Sequence, residues 1–136
     1  MNHNALMTQT LMLSKVLGLF AVIAGVAMVI RGRQFAEVIV TFAKNRTIRV
    51  MIAAIELLAG LFLVIQHNEW GSPPAILISL LGWMAVVESA GYLLLPDAVV
   101  DPFLRIFARA SVIRLSGIFA LAIGLYLAGH GFGMIQ

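Results

Sequence analysis

The chain contains no cysteine, and charged residues make up only 11% of it. Without cysteine, a disulfide framework, a thiol nucleophile, an iron–sulfur cluster and a thiolate zinc site are all excluded. A soluble domain carries charge on roughly a quarter of its residues, so the shortage of charge argues against one. Hydrophobic residues reach 62% and the mean hydropathy is +1.03. This composition predicts an all-α integral membrane protein.

Four apolar runs each approach the ~20 residues that are needed to cross a hydrocarbon core. They leave almost no chain for a soluble domain, so we predict one four-helix transmembrane domain over residues 1–136. The N-terminus lacks the basic segment and cleavage site of a signal peptide, which favours a retained first span. The predicted spans are residues 13–30, 48–66, 75–95 and 112–128.

Two shorter segments between the spans have apolar residues at helical spacing on one side. They are residues 34–46 and 102–110, the second with Asp101 as its N-cap. We expect both to be amphipathic helices lying at the membrane interface. Their basic residues could contact anionic headgroups, so the predicted partner here is the lipid bilayer itself.

Basic residues concentrate in the two segments that join span one to two and span three to four. By the positive-inside rule both segments face the cytoplasm, and both termini face out. We therefore predict a bacterial inner-membrane protein, and the net charge of +3 requires no nucleic acid partner. Trp70 in the outer turn is predicted to anchor the chain at the interface. The basic residues concerned are Arg31, Arg33, Lys44, Arg46 and Arg49, then Arg105, Arg109 and Arg114.

An internal repeat is visible when the two halves are aligned. Residues 42–49 match residues 107–114, and residues 17–22 match residues 81–86. Each unit would consist of a span, an interfacial helix and a second span. Because both units begin outside, we predict a parallel tandem repeat with its pseudo-axis along the membrane normal.

One acid lies inside each of the middle spans, Glu56 and Glu88. A charge in hydrocarbon costs ~2.5–3.5 kcal/mol on insertion scales, so each acid needs a partner, a proton or water. At 1.5 Å per residue, both lie about 10 Å below the cytoplasmic boundary. Three interpretations stay open: the acids share a proton, they pair with Arg49 or Arg114, or they couple transport of a proton or cation.

Small residues form one face along the fourth predicted span. Such a face allows two helices to approach closely, either within this chain or between two copies of it. The predicted helix-packing residues are Gly117, Ala120, Gly124 and Ala128.

Catalytic and cofactor motifs are missing from the sequence. We find no nucleophile–base pair, phosphate loop or nucleotide motif, and so predict no enzyme and no cofactor. His3, His67 and His130 all fall on the outer side, but none shows the spacing of a helical metal site. No metal is predicted.

The turn His67-Asn68-x-Trp70, the pair Gly82-Trp83 with Gly91 and Pro96, and Arg31-Gly32-Arg33-x-Phe35 resemble small four-span bacterial membrane proteins of unassigned function. That resemblance implies four spans and a bacterial inner membrane, and it supplies no catalytic residue. Those proteins tend to carry a basic residue where this chain has Glu88. Residues 56–60, Glu-Leu-Leu-Ala-Gly, are similar to the DoxX-like four-helix membrane proteins.

Two functions of different classes fit these features. We predict a non-enzymatic accessory or oligomer-forming component, acting as a homo-oligomer or as a subunit of a larger membrane complex. The alternative is a small proton- or cation-linked transporter or channel that uses Glu56 and Glu88.

Overall fold

The computed structural model describes residues 3–134, and within that range the chain forms six helices and no strand. Four of the helices are long and apolar enough to cross a membrane, and two short helices join them. The all-α fold with four membrane-length helices is therefore confirmed. The helices are α1 (His3–Ile30), α2 (Gly32–Lys44), α3 (Arg46–Gln66), α4 (Pro73–Leu94), α5 (Asp97–Phe107) and α6 (Ala110–Gly131).

The first helix begins at His3, well before the apolar run that starts at residue 13. Its first turns are polar, and Thr8 donates a hydrogen bond to the carbonyl of Asn4 at 2.9 Å. Hydropathy marks where a helix can lie in hydrocarbon, whereas the backbone hydrogen bonds can continue into the polar region. The helix therefore extends beyond the apolar run at this end.

The second short helix differs most from its predicted bounds. α5 begins at Asp97, with Pro96 in extended backbone as its N-cap, and contains Pro102. Proline is best tolerated in the first turn of a helix, which made residue 102 look like a start. The actual start places Asp97 and Asp101 one turn apart on a single face. α5 also ends at Phe107, before the residue 110 that the sequence indicated.

The membrane-length helices pack mainly as two pairs, α1 with α6 and α3 with α4, and α1 also contacts α4. The short helices α2 and α5 contact each other. Because the chain reverses at each connection, α2 and α5 share one end of the molecule. The α3–α4 turn shares the other end with the start of α1.

The predicted small-residue face of α6 lies against α1. A Cβ added at Gly124 would lie 2.6 Å from the backbone nitrogen of Val22, and one at Gly117 would lie 2.9 Å from the carbonyl oxygen of Gly25. Ala128 packs against Gly18 so closely that a Cβ on that glycine would overlap its backbone. Ala120 is half-buried. The face thus serves contact within the chain.

Candidate functional site

A cleft of about 960 Å³ lies between the α3–α4 pair and the two short helices. We call it the carboxyl cleft because it contains Glu56 and Glu88. Among the described residues that line it, none is Lys, Arg or His. Its lining residues are Val38, Ile39, Phe42, Ile52, Glu56, Leu80, Trp83, Met84, Val87, Glu88, Gly91, Tyr92, Leu95, Val99, Val100, Phe103, Leu104 and Phe107.

The structure brings the two intramembrane acids together. Half-buried Glu56 on α3 and exposed Glu88 on α4 both line the carboxyl cleft. The Tyr92 hydroxyl donates a hydrogen bond to Glu88 Oε1 at 3.0 Å. The hydroxyl of Ser89 instead donates to the Ala85 carbonyl of its own helix, at 2.5 Å.

Arg49 lies at the junction of α3 with α5, where its side chain is only 5% exposed. Its Nη2 is 2.5 Å from Asp97 Oδ1, its Nη1 is 3.6 Å from Asp101 Oδ1, and it also donates to the carbonyl of Ala43 at 3.2 Å. Arg49 is therefore paired with the acids of α5 rather than with Glu56. No role for Asp97 was predicted from the sequence.

Asp97 also accepts a hydrogen bond from Arg46 at 2.5 Å. That bond, together with the charges of Arg46 and Arg49, holds the pKa of the Asp97 carboxyl below its ordinary value. One signal in the sequence could have revealed this network: two acids four residues apart follow the third span. Because the chain reverses at each connection, the basic residues before the second span lie at the same end of the bundle as these two acids.

Arg114, the other candidate partner for the acids, lies on α6 near the start of α2. A Cβ at Gly32 would come within 2.8 Å of the Arg114 Cγ, so the aliphatic part of this side chain packs on the glycine. Arg114 itself is exposed.

At the opposite end of the molecule, the side-chain oxygen of Asn68 contacts the indole nitrogens of two tryptophans. The indole nitrogen of Trp70 donates to Asn68 Oδ1 at 2.8 Å, and that of Trp83 approaches the same oxygen at 3.4 Å. Trp70 is 46% exposed. Trp83 also lines the carboxyl cleft, so this turn is connected to the cleft through one side chain.

His67 forms a buried polar contact between the α3–α4 turn, α1 and α4. It is 1% exposed, with its Nε2 at 3.0 Å from Thr10 Oγ1 and its Nδ1 at 3.4 Å from Ser79 Oγ. The Ser79 hydroxyl donates to the Glu69 carbonyl and accepts from the Glu69 amide. A neutral ring that carries its proton on Nδ1 satisfies all of these groups. Local periodicity could not reveal this contact, because its members are far apart in the sequence.

Burial lowers the pKa of His67 below its ordinary value, although the charge of Glu69 acts in the opposite direction. The stability that comes from a neutral His67 is complete above its unfolded pKa of about 6.5, and it is lost as the pH falls towards the folded pKa. We therefore expect the melting temperature to fall on acidification from roughly pH 7 to pH 5.

Thermal melts at several pH values would check this expectation with two variants. His67→Gln should be less stable at neutral pH but should lack this loss on acidification. His130→Gln, which changes another histidine at the same end, should keep it. An unchanged acid dependence in His67→Gln would show that other groups are responsible.

Within residues 3–134, no group of three or more His, Cys, Asp or Glu side chains comes together that could hold a metal ion. The side chain of His3 lies outside the part of the structure that is described.

The fold and these sites define an all-helical chain with four helices that are compatible with a multi-pass membrane protein. Comparison with known proteins adds no family, because no family model, curated protein or solved structure matches the chain. The resemblances to small four-span bacterial proteins and to the DoxX-like proteins therefore stay predictions.

Proposed function

We propose that this protein is a non-enzymatic accessory of the bacterial inner membrane that holds another membrane component in its carboxyl cleft. The observation that carries the proposal is the cleft itself. Its volume of about 960 Å³ falls in the range of small-molecule binding sites. Its walls combine apolar side chains with a few converging polar groups, which is the usual composition of such a site.

The position of the cleft supports an occupant that arrives through the membrane. Met84 and Val87 line it on α4, and both side chains are more than half exposed. Both belong to a helix of membrane length, so their exposed surface would face lipid. A hydrophobic molecule or group could then enter sideways without crossing water.

Native mass spectrometry of the protein purified from its own membrane tests this proposal. Gly91 lines the cleft, and a Cβ there would meet only the Leu95 side chain, at 3.7 Å. Gly91→Phe should therefore occupy the cleft without disturbing the backbone, whereas Gly91→Ala is the matched control. We expect a bound mass on the wild type and on Gly91→Ala that is lost from Gly91→Phe. Equal masses on all three proteins would contradict the proposal.

The same measurement counts the subunits. We propose that the chain forms a homo-oligomer or joins a larger membrane complex. Since the small-residue face of α6 is occupied by α1, an assembly would use other surfaces. A mass that corresponds to a single chain, with no second protein bound, would contradict this part of the proposal.

A proton- or cation-linked transporter is the second candidate, and the position of Glu56 and Glu88 in one cleft favours it. Two adjacent carboxyl groups in an apolar cleft can exchange a shared proton for a cation. Reconstituted wild-type protein should then dissipate an imposed pH gradient, and Glu56→Gln and Glu88→Gln should abolish this flux while still folding. No flux from the wild type would remove this candidate.

The proposed orientation places both termini outside and both short helices in the cytoplasm. Because the chain has no cysteine, single cysteines can be introduced without a background. Thr8→Cys should react with an impermeant thiol reagent in intact cells, and Lys44→Cys should react only after lysis. The reverse pattern would mean that the basic residues were assigned to the wrong side. Gln136, at the other terminus, lies outside the described residues.

We also propose that the two halves are parallel repeats, α1–α3 and α4–α6. A two-fold axis that exchanges the halves would exchange the α1–α6 pair with the α4–α3 pair, and these are the two main helix pairs. Arg49 and Arg114 occupy equivalent places in the aligned segments. Arg49 contacts the start of α5 and Arg114 contacts the start of α2, which supports the same equivalence.

A further inference from the structure

Resting on the proposed function of the carboxyl cleft, we infer that its occupant is a lipid-soluble organic cation, a protonated or quaternary amine carried on a hydrophobic body. Three features of the cleft lead to this chemical class: its charge, its aromatic side chains and its shortage of oxygen ligands.

The charges of the side chains that line the cleft predict that its occupant is positively charged. Glu56 and Glu88 contribute two carboxyl groups, and among the described residues that line the cleft there is no basic side chain to neutralise them. A cation in the cleft would therefore meet two carboxyl groups set in an apolar wall. An anionic headgroup would meet only repulsion there.

Aromatic side chains continue from the carboxyl pair towards α2 and α5. The ring of Tyr92 lies 5.5 Å from that of Phe42 and 6.3 Å from that of Phe103, which in turn lies 5.0 Å from the ring of Phe107. All four rings line the cleft. Aromatic faces attract quaternary and protonated amines through their quadrupole. The tyrosine hydroxyl is already bonded to Glu88, so one side chain connects the acid pair to the aromatic row.

The same lining does not suit calcium or magnesium. Calcium and magnesium require six or more oxygen ligands. Apart from the two carboxyl groups and the Tyr92 hydroxyl, the described side chains that line the cleft carry no oxygen. The hydrophobic body of a weakly hydrated organic cation can pack against the apolar walls. Its charge can be stabilised by the carboxyl groups and the aromatic rings alone.

Two probes of the same shape and opposite charge test this inference: tetraphenylphosphonium and tetraphenylborate. The chain has two tryptophans, so Trp70→Phe leaves Trp83 in the cleft wall as the only tryptophan, which can be excited selectively. With this variant in nanodiscs of zwitterionic lipid, we expect saturable quenching by the phosphonium and none by the borate.

Substitution of the acids provides the second arm of the test. Glu88→Gln and Glu56→Gln, each in the Trp70→Phe background, should weaken phosphonium binding by about tenfold or more, since a charge-assisted contact becomes a neutral one. Glu37→Gln removes an exposed acid outside the cleft and should leave binding unchanged. Two acid variants are included so that misfolding of one does not end the test.

The outcomes separate this inference from the proposal on which it rests. Equal binding of both probes, or phosphonium binding that survives both Glu→Gln changes, would overturn the inference. If the phosphonium does not bind but Gly91→Phe still removes a bound mass from the purified protein, the cleft is a binding site for another chemical class. If neither effect is seen, both the inference and the proposed function are wrong.

Discussion

One methyl group added at Gly124 should destabilise the protein, whereas the same addition at Gly91 should have little effect. At Gly124 the new Cβ would lie 2.6 Å from the nitrogen of Val22 and 2.9 Å from the carbonyl carbon of Ala21. Both are backbone atoms of α1 and cannot move aside as a flexible side chain could. We expect Gly124→Ala to cost about 1–3 kcal/mol by overpacking, and Gly124→Ile to cost more.

Gly91→Ala is the matched control, because this glycine also lies within a membrane-length helix but its Cβ would make an ordinary contact at 3.7 Å. The better helix propensity of alanine could even stabilise that variant slightly. Thermal unfolding of the purified proteins, with the number of subunits recorded, measures the difference. If Gly124→Ala melts at the wild-type temperature, the close contact between α1 and α6 is not made. A loss of assembly alone would place this face between subunits.

The sequence revealed this packing face but not its partner. Gly117, Gly124 and Ala128 recur at helical spacing, and such a pattern is visible within one segment. Which helix covers the face depends on contacts between distant segments, and these cannot be read from one segment alone, although α1 carries Gly18, Ala21 and Gly25 at helical spacing. The role of Gly18 and Gly25 is evident only in the folded structure, where the backbone of α6 lies against both glycines.

The acids illustrate the same limit. The rise per residue placed Glu56 and Glu88 at one depth, and in the structure both line the carboxyl cleft. The partner of Arg49 could not be obtained in this way. It depends on where α5 begins, and Pro102 suggested a start that is too late. The depth of a residue in the membrane follows from the geometry of its own helix. The ion pair between α3 and α5 depends instead on how these two helices pack together.

The proposed repeat gives a reason to treat the acids as functional. In the alignment of residues 42–49 with residues 107–114, Glu56 corresponds to Leu121. Leu121 belongs to the other main helix pair, where its backbone lies against Gly25. At the depth of Leu121, α1 and α6 pack through apolar and small residues. Two helices related in this way therefore do not need an acid in order to pack. The acids at the equivalent place in the α3–α4 pair line a cleft instead.

Replacement of Arg49 should loosen α5, and with it one wall of that cleft. Its guanidinium joins the start of α3 to Asp97 and Asp101 on α5, in a site where water scarcely reaches it. We expect Arg49→Met to lower stability by about 1.5–3 kcal/mol, the usual contribution of a hydrogen bond to a charged group. Arg46→Met removes the other ion pair of Asp97, but the Arg46 side chain is 75% exposed. An exposed pair contributes little, so this variant is the control.

Hydrogen exchange of the amides of α5 provides the direct measurement. Arg49→Met should exchange faster than the wild type over Asp97–Phe107, and Arg46→Met should not. Val100 and Leu104 of α5 line the carboxyl cleft, so binding of the phosphonium should weaken in Arg49→Met even though both acids are intact. Wild-type exchange in α5, together with wild-type binding, would show that this helix is held by its apolar contacts and that its ion pairs with Arg49 are dispensable.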